Sequence, residues 1–267
     1  MYRLLAFDID NTLIMRGKST IEESALEGIR QSVAKGLEVV ICTGRTITAV
    51  HPDILKRMPV DYFIGVNGTC LNTIKGKVLH TIPMSKEDTE RMIQLSLELD
   101  MPFGFKFDDS FQIYNHYETF TKRYCKNGIT RDMLTDCSKT RDYHLKYNMP
   151  LDVFFYDDND AIPGYVDSFE SLKFIKAASH NYNIYEAFDS KGNKAVMLKI
   201  LAEKLGYDMS EVMAFGDSDN DAEMLKASGL GICMGNGTES AKAAADYITD
   251  NIDADGVFKA LKHFEII

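Results

Sequence analysis

Four short polar clusters in this sequence could do chemistry together. They read Asp8-Ile9-Asp10-Asn11-Thr12, Thr43-Gly44-Arg45, Asn67-Gly68 and Gly216-Asp217-Ser218-Asp219-Asn220-Asp221. In extended chain residues i and i+2 project to the same side, so Asp8 and Asp10 can address one substrate. If Asp217 shares their crevice, three carboxylates lie close together, which is costly unless a cation or a proton intervenes. Oxygen donors of this kind suit magnesium. An isolated Asp-x-Asp is common in turns and helix caps. Its place at the end of an N-terminal apolar run, followed in chain order by three more polar clusters of the same kind, makes it a candidate site.

The elements that must position these clusters are legible as apolar runs and helical periodicities. Leu4-Leu5-Ala6-Phe7 stops at Asp8, and residues 37–42 and 62–66 are two further strand-like runs ending at Thr43 and Asn67. Thr20-Ile21-Glu22-Glu23 has capping-box spacing, and Leu26, Ile29 and Val33 then recur at helical intervals as far as Gly36. Strand, helix, strand, helix, strand predicts a parallel α/β sheet whose strand ends converge on one crevice. The rhythm returns with a helix through Val196, Met197, Ile200, Leu201 and Leu205, strands at 212–215, 230–234 and 247–249, and a helix over 254–264. Between the halves, residues 83–188 hold 19 of the 28 aromatic residues in 106 positions, a composition shift that marks an insertion. A helix start at Ser85 and strand-like runs at 103–107, 111–114 and 153–156 make the insertion α+β.

The chain has 267 residues, enough for two domains. Thirty basic against forty acidic residues give a net charge of −10, which disfavours nucleic acid and anionic membrane surfaces as partners. No apolar run approaches a membrane span, and Asp8 and Asp10 interrupt the N-terminus before a signal-peptide core could form, so the expected location is the cytoplasm. Cys42, Cys70, Cys125, Cys137 and Cys233 are odd in number and form no C-x-x-C pair, and they read as reduced, mostly buried thiols. Gly229-Leu230-Gly231 and Gly235-Asn236-Gly237 miss the spacing of a dinucleotide loop and read as turn glycines. Cys42 reads as a small core residue, the aromatic residues of 83–188 mostly as core, and Arg45 as an anion ligand or a loop-orienting group.

Taken together, the clusters resemble those of the haloacid dehalogenase superfamily, specifically its Cof-type (subfamily IIB) phosphatases, and the likeness runs the whole length of the chain. Asp8 to Thr12 matches the D-x-D-x-T motif with Asn11 where glycine is more usual; Thr43 matches the second motif and Gly216 to Asp221 the G-D-x-x-N-D motif. The lysine of the third motif falls on Lys191 or Lys194, and counting back from Leu205-Gly206 favours Lys194. The resemblance implies a Rossmann-like parallel-sheet core (1–82 and 189–267) with an inserted α+β cap of type C2B (83–188).

It also implies a magnesium-dependent phosphatase of small phosphorylated metabolites, sugar phosphates foremost, acting as a monomer or small homo-oligomer. Asp8 would be the nucleophile and Asp10 the general acid and base, with magnesium on Asp8, Asp217 and the Asp10 main-chain carbonyl. Phosphoryl oxygens would be held by Thr43, Lys194, Asn220 and main-chain groups near Ile9 and Gly44, supported by Arg45, Asn67 and Asp221, the last standing behind them or contributing weakly to the metal site. A phosphosugar mutase shares the nucleophile and is the nearest alternative. A module that takes phosphate on Asp8 for signalling is the alternative of another class, and the large insertion argues against it.

Overall fold

Leu4, Leu5, Ala6 and Phe7 are fully buried, as an apolar run must be when a parallel sheet is covered on both faces. In the computed structural model, which describes residues 1–50, 52–126, 129–177 and 182–267, they form β1 (Leu4–Phe7). After it come α1 (Glu23–Ala34), β2 (Glu38–Cys42), α2 (Pro52–Arg57), β3 (Tyr62–Gly65), β4 (Cys70–Thr73) and β5 (Val78–Thr81). The inserted segment holds α3 (Lys86–Glu98), β6 (Phe103–Lys106), β7 (Phe111–Asn115), α4 (Tyr117–Tyr124), β8 (Thr135–Asp136), α5 (Tyr143–Lys146), β9 (Asp152–Tyr156), β10 (Leu172–Ala177) and β11 (Ile184–Asp189). The chain closes with α6 (Lys194–Leu205), β12 (Val212–Gly216), α7 (Ala222–Ala227), β13 (Leu230–Cys233), α8 (Glu239–Ala244), β14 (Tyr247–Ile248) and α9 (Gly256–His263).

Two compact units result, one of Met1–Arg45, Val50–His80 and Asn193–Ile267, the other of Thr46–Ala49 and Thr81–Gly192. The first is built on an eight-stranded sheet of order β14-β13-β12-β1-β2-β3-β4-β5. From β14 to β3 every pairing is parallel. It is a Rossmann-like α/β sheet. Strand order reverses at β1, whose neighbours are β2 on one side and β12 on the other, so the switch point lies at the end of β1. Register brings the ends together there: Phe7 pairs with Phe215 and Ile41, and the Phe7 and Phe215 rings stack with centroids 4.7 Å apart.

The second unit carries a six-stranded sheet of order β10-β11-β9-β6-β7-β8, antiparallel except between β7 and β8. Its aromatic residues are core, in two clusters. Phe103, Phe105, Tyr114 and Phe155 pack with Met92 and Leu95 of α3, while Phe111, Phe154 and Tyr156 pack with Phe120 of α4. Within this apolar packing Lys106 is buried, with Glu186 at 2.9 Å and Asp152 at 3.6 Å, a cluster that nothing in the sequence pattern singled out. No described helix is long and apolar enough to cross a membrane. Among the described residues the cysteines form no disulfide.

Several element boundaries shift by a residue or two, and at two of them the cause is visible. The first helix starts at Glu23 with Glu22 as its N-cap and no side-chain cap bond, so the Thr20 capping box does not form. The Glu22 N–H is drawn instead to the Leu13 carbonyl at 3.0 Å, which fixes where the helix begins. The third strand ends at Gly65, because Val66 and Asn67 take left-handed backbone with φ of 50° and 55°.

That left-handed turn sets the next element in place. Gly68, at φ 91°, lies so close to the start of α6 that an added Cβ would stand 2.1 Å from the Asn193 carbonyl carbon. Asn193 caps α6 by accepting the Val196 N–H at 2.7 Å, so the helix that begins with Lys194 is anchored at this contact. Gly68→Ala is therefore expected to cost about 3 kcal/mol, from a left-handed Cβ and backbone overpacking, lowering Tm by roughly 6–12 °C. Scanning calorimetry checks it, and a Tm unchanged within about 1 °C would show that the contact relaxes freely.

Candidate functional site

Asp8 continues β1, with its N–H on the Phe215 carbonyl at 3.0 Å, and its carboxylate is buried at the switch point. Lys194, the first residue of α6 and fully buried, donates to Asp8 Oδ1 at 2.7 Å and to Asp221 Oδ1 at 2.6 Å. Lys191 is exposed, and its described contact is a backbone N–H on Asp189. Asp221 spends its other oxygen on the loop after β12: Oδ2 accepts the Asp217 and Ser218 N–H groups, both at 3.0 Å, and the Ser218 hydroxyl at 3.2 Å. Asp217 accepts the Thr12 hydroxyl at 3.2 Å, which ties the two acidic loops to each other. Neither Thr12 nor Ser218 was singled out as a site residue, although both stand inside the motif-bearing clusters.

The remaining candidates form the far wall. Thr43 is buried at the end of β2, and its carbonyl accepts the Asn67 N–H at 3.1 Å. Asn67 Oδ1 accepts from Asn220 Nδ2 at 3.0 Å, which links the loops after β3 and β12. Gly44 lies beside the same amide, where an added Cβ would stand 2.8 Å from Asn67 Oδ1. The Ile9 carbonyl closes a tight turn, accepting the N–H groups of Leu13 and Ile14 at 2.9 Å each. Asn11 sits at φ 63°, the left-handed region that asparagine tolerates better than most residues, so it can replace glycine without reshaping the loop. Asp10 does not join the buried cluster through its side chain. Its carboxylate, 51% exposed, is gripped by the Arg45 fork, with Nε at 2.9 Å and a terminal nitrogen at 2.6 Å.

One oxygen from each of Asp8, Asp217 and Asp221 lies within 4.8 Å of the others. Burial pushes the Asp8 carboxyl well above the usual carboxylate range; Lys194 opposes this, and Asp221, Asp217 and Asp10 add to it. Asp217 is pushed up to about 7, by burial and then by Asp221, against the pull of Lys194. Burial alone would lower Lys194, but Asp221 and Asp8 outweigh it and hold the ammonium charged. Burial also raises the Cys42 thiol, so it is no thiolate nucleophile. Three carboxyls share one ammonium, so two of them need a proton or a cation to balance their buried charge, and the donors are all oxygen. That set fits a hard divalent cation.

A family model of haloacid dehalogenase-like hydrolases matches residues 5–261. The chain belongs to this family. A 5-amino-6-(5-phospho-D-ribitylamino)uracil phosphatase, YcsE of Bacillus subtilis (strain 168), is 30% identical over 98% of this chain and 95% of its own. The haloalkanoate (HAD) superfamily phosphatase BT1666 of Bacteroides thetaiotaomicron superposes with a TM-score of 0.83, at 25% identity over 100% of this chain and 96% of that one. The HAD subclass IIB sugar phosphatase BT4131 superposes at 0.86, with 24% identity over 99% and 100% of the two chains, and so shares the fold. As a haloacid dehalogenase-like hydrolase the chain is an enzyme.

The raised carboxyls have a consequence for stability without metal. A carboxyl whose pKa is higher folded than unfolded holds its proton more tightly when folded. Its contribution is complete below the unfolded value of 3.8 and is lost as pH rises through about 7 for Asp217. In chelator the protein should therefore unfold at a lower temperature at about pH 8 than at about pH 5, and Asp217→Asn should flatten that difference. Calorimetry at the two pH values decides, and an undiminished pH dependence in the variant would remove Asp217 as its source.

Proposed function

We propose that this enzyme is a magnesium-dependent phosphatase of small phosphorylated metabolites, sugar phosphates foremost, and that it works through an aspartyl-phosphate on Asp8. The observation that carries the reading is the buried triad in which Lys194 bridges Asp8 and Asp221 while Asp217 stands within ligand distance. The phosphatases among its relatives support the same class.

In this reading the Asp8 carboxylate attacks phosphorus as the bond to the leaving alcohol breaks, and Asp10 gives the alcohol oxygen its proton. Water then attacks the phosphorus of the acyl phosphate, Asp10 takes the water proton, and Asp8 leaves as a carboxylate. Magnesium on Asp8, Asp217 and the Asp10 main-chain carbonyl would supply positive charge against the repulsion between nucleophile and phosphate. Thr43, Lys194, Asn220 and the main chain at Ile9 and Gly44 hold the phosphoryl oxygens, since loose phosphoryl transfer needs positioning and charge more than further covalent help. Arg45 orients Asp10, Asn67 orients Asn220, and Asp221 orients Lys194. Residues 83–188 act as the cap and choose among substrates, and the cytoplasm is the site of action.

Phosphate release from an aryl phosphate and a sugar-phosphate panel, with and without magnesium, tests the reading. Asp8→Asn should lose at least about 10³-fold of a magnesium-dependent activity. Magnesium-dependent release that survives in Asp8→Asn would refute the nucleophile, and no release by the wild type would refute phosphatase action. Asp10→Asn separates the two half-reactions. An aryl leaving group needs little protonation whereas hydrolysis of the acyl phosphate needs the base, so rapid mixing should show a burst of about one aryl alcohol per enzyme, then turnover slowed roughly 10²–10⁴-fold. Slow release without a burst would deny Asp10 the second step.

A further inference from the structure

The loop after β13, Gly235-Asn236-Gly237, entered as turn glycines and has no part in the chemistry above. Its bonds give it a place beside that chemistry. The Asn236 amide spans two separate segments: Oδ1 accepts the Ile252 N–H at 2.8 Å, and Nδ2 donates to the Asn11 carbonyl at 2.9 Å. A backbone N–H can only donate and a carbonyl can only accept, so the amide fits in one orientation alone. Two residues on, the Thr238 N–H donates to the Asp217 carbonyl at 2.7 Å and the Thr238 hydroxyl to Asp219 Oδ1 at 2.8 Å.

These bonds close a ring. Asn236 holds the peptide between Asn11 and Thr12, Thr12 donates to Asp217 Oδ1, and Asp217 is held through its carbonyl by Thr238. The Asp8–Thr12 turn and the Asp217 loop are thus fixed to each other directly and again through a third loop. That loop is itself anchored, with the Gly235 N–H on the Asp250 carbonyl at 3.2 Å and the Met234 N–H on the Gly216 carbonyl at 3.0 Å. Asn11 needs such a hold: its left-handed backbone is uncommon outside glycine, and it adjoins Asp10.

We propose that residues 235–238 are a positioning clamp for the reacting carboxylates, and that Asn236 is a positioning residue acting through the Asn11 carbonyl. The proposal rests on the reading of Asp8 as nucleophile and Asp217 as metal ligand. A displacement of about 1 Å between groups that must act together can cost roughly 10²-fold, and partners behind metal ligands typically carry about 10–100-fold in affinity or activity.

Two substitutions separate the two ends of the amide. Asn236→Ala removes both bonds, whereas Asn236→Asp keeps the acceptor for Ile252 and loses the donor to Asn11. Two readouts are taken on the full chain: hydrogen exchange in chelator of a peptide covering residues 9–14, and kcat and KM at saturating magnesium. The clamp predicts about tenfold faster exchange in Asn236→Asp, with kcat lowered about tenfold and KM held within about twofold. Unchanged exchange, or faster exchange with kcat unchanged, would overturn it. If Asn236→Ala does not fold, Asn236→Asp decides alone, because it retains the Ile252 anchor. A wild type that releases no phosphate would sink the phosphatase reading, while the exchange comparison still judges the clamp.

Discussion

A single ammonium group ties together the polar loops at the end of β1. Lys194 sits fully buried between Asp8 and Asp221, residues 186 and 27 positions away in the sequence. Stripping one member from a buried ion cluster typically costs about 3–5 kcal/mol, because the charge left behind has neither water nor partner. The first strand, the loop after β12 and the start of α6 therefore cannot be placed independently. Lys194 compensates the three carboxyls incompletely, so the cluster needs a proton or a cation besides.

Placing that ammonium falls to groups with no chemistry of their own. Gly68 allows the turn after β3 to touch Asn193, Asn193 caps α6, and the cap sets the helix register that points Lys194 inward. Asp221 accepts two backbone N–H groups from the Asp217 loop with one oxygen and Lys194 with the other, so one carboxylate sets the positions of both a cation and an acid. The parallel sheet explains why these distant pieces converge. With strand order reversing at β1, the chain after β1 turns to β2 on one side and the chain after β12 to β13 on the other, the kind of switch point at which open α/β sheets bind ligands.

This convergence was legible in the sequence because a strand buried on both faces must be continuously apolar and must end where polar residues begin. β1, β2 and β12 all show that edge. β4 and β5 did not, since β5 (Val78–Thr81) alternates between exposed and half-buried positions and its composition resembles a loop. β10 and β11 were missed for a related reason: Lys173 and Lys176 interrupt the first and Glu186 the second, so neither is a continuous apolar run. The choice between Lys191 and Lys194 turned on helix register, and burial favours the residue that follows the Asn193 cap. The grip of Arg45 on Asp10 had no sequence signal beyond charge, because it depends on how two strand ends lie side by side.

The positions between the chemically active residues of a motif obey backbone demands. Asn11 stands where glycine is more usual, and the structure gives the reason it can: the site needs a left-handed residue, which asparagine supplies at modest cost. The substitution also keeps the Asn11 carbonyl in reach of Asn236. Thr12 is constrained differently, by the need for a hydroxyl that donates to Asp217. Asparagine at position 11 therefore fits the turn between Asp8 and Thr12, whereas a β-branched residue there would have to distort it. Which departures matter follows from φ and from the atoms each residue must present.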